Sequence, residues 1–573
     1  MVALSRFLPA MDVTLVAKAP GPVMVGDLVR FKGQIADSSG SLWYRFRVRE
    51  GAGEFRTIRD YGPLPSLEWT TFEFEGDYEM ELSVRDRKTG ETREARTTVH
   101  FAPRATDQPT VTPTAHPLVV LYSAPRCESG NLRVDYVAAN SGVLSSVSKP
   151  CQARRTVNFL LGALRPETTY SATLVTEHPG FQTSVAPVTF TTGSAPANVP
   201  ATTTVLAAPV SSQGILLQAN LFSRSTATDL SGNLLWYGPS DLTYLTRPEP
   251  GGRFFGVILA GIDPARDVVR EFDLTGMTVS ETNVARMNEQ LSALGRRTIS
   301  GFHHEACRLP DGNVLVLASV EQILTDVQGP GPVDVIGDMV LVLDRDLQVV
   351  WTWDTFDHLD PARAAVLGET CTSGGCPPHY LSPTANDWTH GNSVQRTPDG
   401  NLLFSMRHQD WVIKIDYRDG AGDGDVLWKL GRGGDFALDP PDDHAWFSHQ
   451  HDARYDPQDP TAITMFDNGN TRAASVLGEV SRGLSIRVDE SAKTARLVLD
   501  AHLPYFSLAL GSAQRLEDGG YHFLAGWVVD PAAPTSPPSA YSFQTDAAGN
   551  IVFSIQTRTM IYRSFRMSNL DRP

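Results

Sequence analysis

Asp399-Gly400-Asn401-Leu402-Leu403-Phe404-Ser405 sets a turn directly before an apolar run, and the chain uses the same figure at two other places. Asp311-Gly312-Asn313-Val314-Leu315-Val316-Leu317 precedes it, and Asp518-Gly519-Gly520-Tyr521-His522-Phe523-Leu524 follows it. Gly and Asn supply the positive φ of a tight hairpin, so each copy reads as a turn feeding a buried strand. A second cadence comes later in the units. Val342-Leu343-Asp344 leads to Val350-Trp351-Thr352-Trp353, and Ile413-Lys414-Ile415-Asp416 leads to Val426-Leu427-Trp428-Lys429-Leu430. Ala227-Thr228-Asp229-Leu230 leads likewise to Leu234-Leu235-Trp236-Tyr237. Strand and turn alternating toward an aromatic strand is the grammar of a four-stranded propeller blade. Six candidate units start near residues 205, 240, 300, 388, 448 and 509, with a large insertion at 355–386. The expectation is a six-bladed β-propeller over 205–573.

Upstream, the pattern shortens. Val13-Thr14-Leu15-Val16, Leu28-Val29-Arg30-Phe31-Lys32, Leu42-Trp43-Tyr44-Arg45-Phe46-Arg47-Val48 and Tyr78-Glu79-Met80-Glu81-Leu82-Ser83-Val84 alternate at sandwich-like spacing, so 12–102 is expected to be an immunoglobulin-like β-sandwich. A Pro- and Thr-rich linker covers 103–117. In 118–194, Leu164-Arg165-Pro166-Glu167-Thr168-Thr169-Tyr170 is similar to the tyrosine corner of fibronectin type III domains, and a second β-sandwich is expected there. The fold class is all-β throughout.

At 573 residues the chain exceeds one ordinary core, and 47 Gly with 39 Pro favour strands and turns over helices. A net charge of −16 without a basic run excludes a nucleic-acid surface. No apolar run reaches the length of a membrane span. The opening residues 1–11 are too short and interrupted for a secretory leader, so the compartment is read from the five cysteines. Cys371 and Cys376 bracket a short loop able to close as a disulfide, and Cys127 and Cys151 lie in two strand-like stretches of one module. These two pairs, with Cys307 left over, point to an oxidising compartment, periplasmic or extracellular; five reduced buried thiols are the alternative.

Histidines gather at the heads of strand-like runs: Phe302-His303-His304-Glu305, Asp387-Trp388-Thr389-His390-Gly391-Asn392-Ser393 and Ser448-His449-Gln450-His451-Asp452. The innermost strand of each propeller blade lines a central channel with alternate side chains. By strand parity His304, His390 and His451 share that channel, while His303 points away. Arg407, in Ser405-Met406-Arg407-His408-Gln409, is expected on the second strand of the blade that carries His390. A buried arginine needs an anionic partner, and this stretch offers no carboxylate, which points to an anionic ligand. Asp500-Ala501-His502 offers a fourth candidate that falls outside the matched motifs, while His408, His444 and His522 read as structural or surface residues, and Asp467-Asn468-Gly469-Asn470 reads as a turn or a hydrogen-bonding loop in preference to a cation loop.

With these motifs in place the chain resembles the bacterial arylsulfate sulfotransferases, six-bladed propellers of the oxidising periplasm. The resemblance rests on the three histidine stretches, on Ser405–Gln409 with Ile413-Lys414-Ile415-Asp416, on Phe466-Asp467-Asn468-Gly469 and on Ile561-Tyr562-Arg563-Ser564, in the family's order over roughly 205–573. It implies transfer of a sulfuryl group from small aromatic sulfate donors to phenolic acceptors without a nucleotide or other cofactor. It also implies His451 as the nucleophile that becomes sulfated in a ping-pong cycle. His304 is implied as the acid/base group, with His390 and Arg407 gripping the sulfate oxygens. His303 and Asn392 are candidates for substrate binding, and Cys371–Cys376 for the family's short-loop disulfide.

Two other readings compete with this one. Several inward histidines on a propeller hold a metal in other proteins, with Glu305 and Asp452 available as carboxylates behind the imidazoles, although Arg407 would set a positive charge beside the cation. A non-catalytic binding propeller leaves the histidine and arginine cluster unexplained.

Overall fold

The computed structural model describes residues 11–572, apart from 20, 37–40, 140, 208–213, 261–262, 373–375, 443–444, 476–477 and 531. The opening residues 1–10 and His444 lie outside the described set. Strands carry nearly all the regular structure, so the chain is all-β. It divides into two compact bodies. The first holds residues up to 194 together with 270–286 and 345–347; the second holds 195–269, 287–344 and 348–573.

In the first body, Val29–Ala36 alternates buried and exposed residues and lies between Asp12–Lys18 and Ser66–Trp69. A second sheet runs through Arg56–Gly62, Leu42–Glu50, Gly76–Asp86 and Thr92–Phe101. Phe31, Phe46, Trp69, Leu82 and Phe101 fill the space between the sheets, as period-two burial requires. Thr278–Asn283, from inside the span read above as propeller, adds to this body: Glu281 bridges Arg59 in parallel register and pairs with Arg59 and Arg270. Farther along, Asn131–Ala138 and Thr169–His178 form one sheet and Val157–Leu161 with Val120–Ala124 another, around Tyr122, Tyr136 and Phe159. Arg165 N–H donates to the Tyr170 hydroxyl at 2.9 Å, the tie expected of a tyrosine corner. Cys127 and Cys151 are joined as a disulfide in this region.

The second body consists of sheets from each of which we label one end strand, in chain order: β1 (Tyr244–Glu249), β2 (Ile299–Arg308), β3 (Gly391–Arg396), β4 (His451–Asp456), β5 (Gly511–Arg515) and β6 (Ile561–Met567). Each begins an antiparallel sheet that continues by hairpins. β3, for example, pairs with Leu402–Met406, then Trp411–Ile415, then Val426–Gly431. The exception is β6, which comes from the C-terminus and pairs with Ile215–Asn220 near the start of the body. Successive edge strands are neighbours, β1 to β2 and onward to β6, and β6 is again next to β1.

Period-two alternation explains why the sheets stack. Leu402, Phe404 and Met406 pack with Leu315, Leu317 and Val340 of the preceding sheet, while Leu403 packs with Ile463, Met465 and Leu484 of the next. Both faces are covered, so Leu402–Met406 and Trp411–Ile415 are buried at every residue. Phe466 and Phe523 join the following pair of sheets, and Leu216 with Phe553 joins the last sheet to the first. Truncating a ring such as Phe404 is worth about 3–5 kcal/mol at this kind of position. The turns form as read, with Gly312 at φ 88° and Gly400 at φ 82°. The 355–386 insertion returns as Ala385–Asp387, which runs parallel to Pro332–Leu343 and delivers the next residues to the head of β3.

Candidate active site

The edge strands do not keep simple alternation where the histidines stand. Register shifts occur between Phe302 and Ala306 in β2, between Gly391 and Ser393 in β3, and between His451 and Arg454 in β4. At or next to these bulges His304 (φ 57°), His390 (φ 49°) and His449 (φ 53°) adopt left-handed backbone, which costs each non-glycine residue of order 1–3 kcal/mol. Hydrogen bonds hold the conformation. His304 N–H donates to the Tyr244 hydroxyl at 2.8 Å, and its carbonyl accepts from the Tyr562 hydroxyl at 2.9 Å. His449 N–H donates to Asp410 Oδ1 at 2.7 Å, and the His390 carbonyl accepts from Arg407 N–H at 3.2 Å. Gly391 follows His390 because a Cβ there would come within 2.3 Å of the Phe404 ring.

The bulges bring His304, His390 and His451 together. The His304 and His390 ring centroids are 5.0 Å apart, and His451 lies within electrostatic reach of both. Each has one ring nitrogen held by the protein. His390 Nδ1 donates to Asp387 Oδ2 at 2.6 Å. His304 Nδ1 lies 2.7 Å from His303 Nδ1. His451 Nδ1 meets Asn468 Oδ1 at 2.7 Å, and the Asn468 amide nitrogen donates to the Ser507 and Leu510 carbonyls. Those two donations fix the amide orientation, so Oδ1 accepts from His451 Nδ1–H and leaves the lone pair on Nε2. The three Nε2 atoms have no protein partner among the described residues.

Burial, followed by the positive field of Arg407, pushes the His451 pKa well below the ordinary histidine value, so the ring is neutral near pH 7. Burial and the neighbouring His303, His390, His451 and Arg563 do the same to His304. Arg407 stands at the start of a short 3₁₀ turn, Arg407–Gln409, directly after the strand rather than on it. Its guanidinium donates to His408 Nε2 and to the Leu508 carbonyl, its Nε is unpaired, and no carboxylate of the described residues lies within ion-pair distance. Glu369, Asp387 and Asp410 act on it from farther away.

Other expectations fall differently. His303 is buried, with Nδ1 against His304 and Nε2 3.0 Å from Asp338 Oδ1. Asn392 donates to the Gln450 carbonyl and accepts from Asp452 N–H, so its amide ties β3 to β4 and this geometry does not support direct contact with a substrate. His408, read as structural or surface, is buried 4.5 Å from the His390 ring; Nδ1 donates to the Asp387 carbonyl and Nε2 accepts from Arg407. His449, flanked by Glu369 and Asp410, is lowered by burial, but hydrogen bonds to those two carboxylates outweigh this and its pKa is raised. His502 is largely exposed, near Asp500. Cys371 and Cys376 form a disulfide, and Cys307 is a free thiol.

Among the described residues, Glu305 and Asp452 do not back any imidazole. Arg563 and Arg247 clasp Glu305, and Arg247 and Arg454 clasp Asp452, in a buried network that ties β1, β2, β4 and β6. Asp387, His390 and His408 do lie close enough to share a cation. However, the His390 Nδ1 and both His408 nitrogens are already committed to protein partners, and the adjacent Arg407 opposes a metal ion.

The Arylsulfotransferase (ASST) family model matches residues 194–563. No curated protein matches the chain. Among solved structures, a two-domain fibronectin type III segment of chicken tenascin is similar at 14% identity, covering 31% of this chain and 98% of its own, with a TM-score of 0.15. The FN1–FN3 domains of chicken CNTN1 are similar at 14% identity, covering 32% and 68%, TM-score 0.13. Purple acid phosphatase PPD1 from yellow lupin (Lupinus luteus) seeds is similar at 12% identity, covering 34% and 43%, TM-score 0.16.

Proposed function

The chain belongs to the arylsulfotransferase family and is an enzyme of the arylsulfate sulfotransferase type, and on that premise we propose that it moves a sulfuryl group from an aryl sulfate to a phenol through a sulfated His451. The observation that carries the reading is the trio of unpartnered Nε2 atoms beside an arginine without a carboxylate. An anion with a transferable centre suits that space. A metal ion does not, because Arg407 is there.

In the proposed first half-reaction Arg407 and His390 hold the non-bridging sulfate oxygens, with the His390 ring oriented by Asp387. The neutral His451 Nε2 attacks sulfur as the bond to the aryl oxygen breaks, and His304 Nε2–H gives that oxygen its proton. In the second half His304 takes the proton of an acceptor phenol, whose oxygen attacks sulfur while the N–S bond breaks. Asn468 holds the Nδ1–H of the sulfated ring throughout.

We further infer that the six sheets of the second body are the blades of a propeller. The ring of neighbouring edge strands and the pairing of β6 with Ile215–Asn220 support this. Immunoglobulin-like and fibronectin-like modules over 12–102 and 118–194 are proposed from the alternation and from the Tyr170 tie. Two disulfides support a periplasmic or extracellular site of action, and no helix among the described residues is long and apolar enough to cross a membrane.

A stopped-flow burst of nitrophenol from 4-nitrophenyl sulfate, with one SO3 mass added at His451, tests the mechanism. It is expected to vanish in His451→Ala. Full turnover in that variant, or a stoichiometric transition metal in purified enzyme, overturns it.

A further inference from the structure

Asp338 sits in the middle of the strand Pro332–Leu343, between apolar neighbours, and is almost fully buried. A lone carboxylate there is costly unless its charge is matched. One oxygen, Oδ2, accepts from the Thr389 hydroxyl and from Gly391 N–H, the two residues flanking His390. The other, Oδ1, lies 3.0 Å from His303 Nε2. Burial works to raise the Asp338 pKa, but the His303 ring beside it and the bonds from Thr389 and Gly391 hold it below the ordinary aspartate value, so it is ionised. The far side of the His303 ring meets His304, Nδ1 to Nδ1 at 2.7 Å, and His304 Nε2 is one of the three unpartnered atoms. Asp338, His303 and His304 thus form a continuous line from a buried negative charge to the open nitrogen.

We propose that Asp338 and His303 act as a proton relay behind His304, storing on His303 the proton that the leaving aryl oxygen receives and the acceptor hydroxyl gives up. This rests on the sulfotransferase reading above. The groups facing His304 are Tyr244, Tyr562, His303, His390, His451 and Arg563; burial above all, with the neighbouring imidazoles and the Arg563 cation adding to it, disfavours charge on His304 itself. Beside His303 stands the Asp338 carboxylate, where an imidazolium is matched by a negative charge.

The protons balance in both directions. In the loaded state His303 is imidazolium, with Nε2–H on Asp338 and Nδ1–H on His304 Nδ1, and His304 carries its proton on Nε2. When the S–O bond breaks, His304 Nε2–H moves to the aryl oxygen and His303 Nδ1–H moves to His304 Nδ1. Both rings end neutral, Asp338 remains ionised, and no charge passes through an imidazolate. An acceptor phenol reverses the steps: its proton enters at His304 Nε2, and the Nδ1 proton returns to His303. His303 and Asp338 touch no substrate and act through His304 alone.

The relay matters most when the departing oxygen is basic. Asp338→Asn and His303→Gln, checked for folding by thermal melts, are compared with the unsubstituted enzyme in single-turnover release from 4-nitrophenyl sulfate and from phenyl sulfate. Both variants are expected to slow with the nitrophenyl donor. With phenyl sulfate the loss is expected to be roughly tenfold or more greater, because general acid assistance contributes about 10²–10⁴ when the leaving group needs a proton. Equal losses for the two donors, in whichever variant folds, mean that the pair only holds the site in shape and overturn the relay. Absence of any burst in the unsubstituted enzyme overturns the sulfotransferase reading beneath it.

Discussion

Asn468→Ala isolates the part of the mechanism that depends on a single proton. Asn468 Oδ1 accepts from His451 Nδ1 at 2.7 Å, while its amide nitrogen is pinned by two carbonyls. In the resting enzyme this is a bond between neutral groups, worth about 0.5–1.5 kcal/mol. Once Nε2 carries the sulfuryl group the ring is cationic, and a bond from a charged donor is worth about 1.5–3 kcal/mol. The difference of about 1–2 kcal/mol appears only as sulfur is transferred, so it lowers the barrier rather than tightening binding. Loss of tautomer control adds to it, since a ring with its proton on Nε2 has no lone pair to attack with. At 1.36 kcal/mol per tenfold, the nitrophenol burst is expected to slow about 10- to 100-fold, with little change in the donor concentration that half-saturates it. Asn468→Asp keeps an acceptor but adds a negative charge, which favours protonated His451 and moves the acid limb of the burst rate to higher pH. A burst unchanged in Asn468→Ala, in protein whose melting temperature is also unchanged, would refute the assignment of Nε2 as the attacking atom.

Arg407→Lys keeps the charge but not the fork that reaches His408 and Leu508, and kcat is expected to fall about 10²–10³-fold, read in steady-state turnover. Stability should be greatest near the ordinary histidine pKa. His304, His408 and His451 have pKa values lowered well below it and His522 is lowered to about 3, so the unfolded chain binds their protons first and stability falls as pH drops below about 6.5. Each contributes a slope of about 1.4 kcal/mol per pH unit once its unfolded form is protonated. His449 has the opposite sign: its raised pKa gives stability present below the unfolded value and lost as pH rises through the folded one. Urea midpoints between pH 4 and 9 check this, and a midpoint that climbs steadily toward pH 4 contradicts it. Arg563→Met leaves Glu305 with Arg247 alone and is expected to cost about 3–5 kcal/mol in urea unfolding. A loss under about 1 kcal/mol, the usual size for a surface pair, would mean the network is solvated.

The repeat was legible because turn chemistry is local. Asp399-Gly400-Asn401 has to turn wherever it is, and the alternation of Leu402, Leu403 and Phe404 needs no knowledge of the neighbours to predict two buried faces. What the alternation did not contain was Thr278–Asn283 joining the first body, since that depends on Glu281 meeting Arg59, two hundred residues away. Nor did it contain the strand that completes the first sheet, which arrives from the C-terminus. At the site, type and position were readable but direction was not. Parity sends His303 and His304 to opposite faces, yet two extra residues between Phe302 and Ala306 in β2 and a left-handed φ at His304 bring both rings onto one line. The same device recurs at His390 and beside His451, so the bulges, rather than the alternation, aim the cluster. Asp387 and Tyr562 were visible inside quoted motifs without a role, because their partners are the His390 ring and the backbones of two different strands. Asp338 left a clearer trace. Val335-Ile336-Gly337-Asp338-Met339-Val340 places a carboxylate inside an otherwise buried strand, a position that costs several kcal/mol unless hydrogen bonds or an opposite charge compensate. Such a residue predicts a cation or a ring of donors facing it, but alternation could not name His303 as that partner, because its strand is separated from this one by Val314–Thr325.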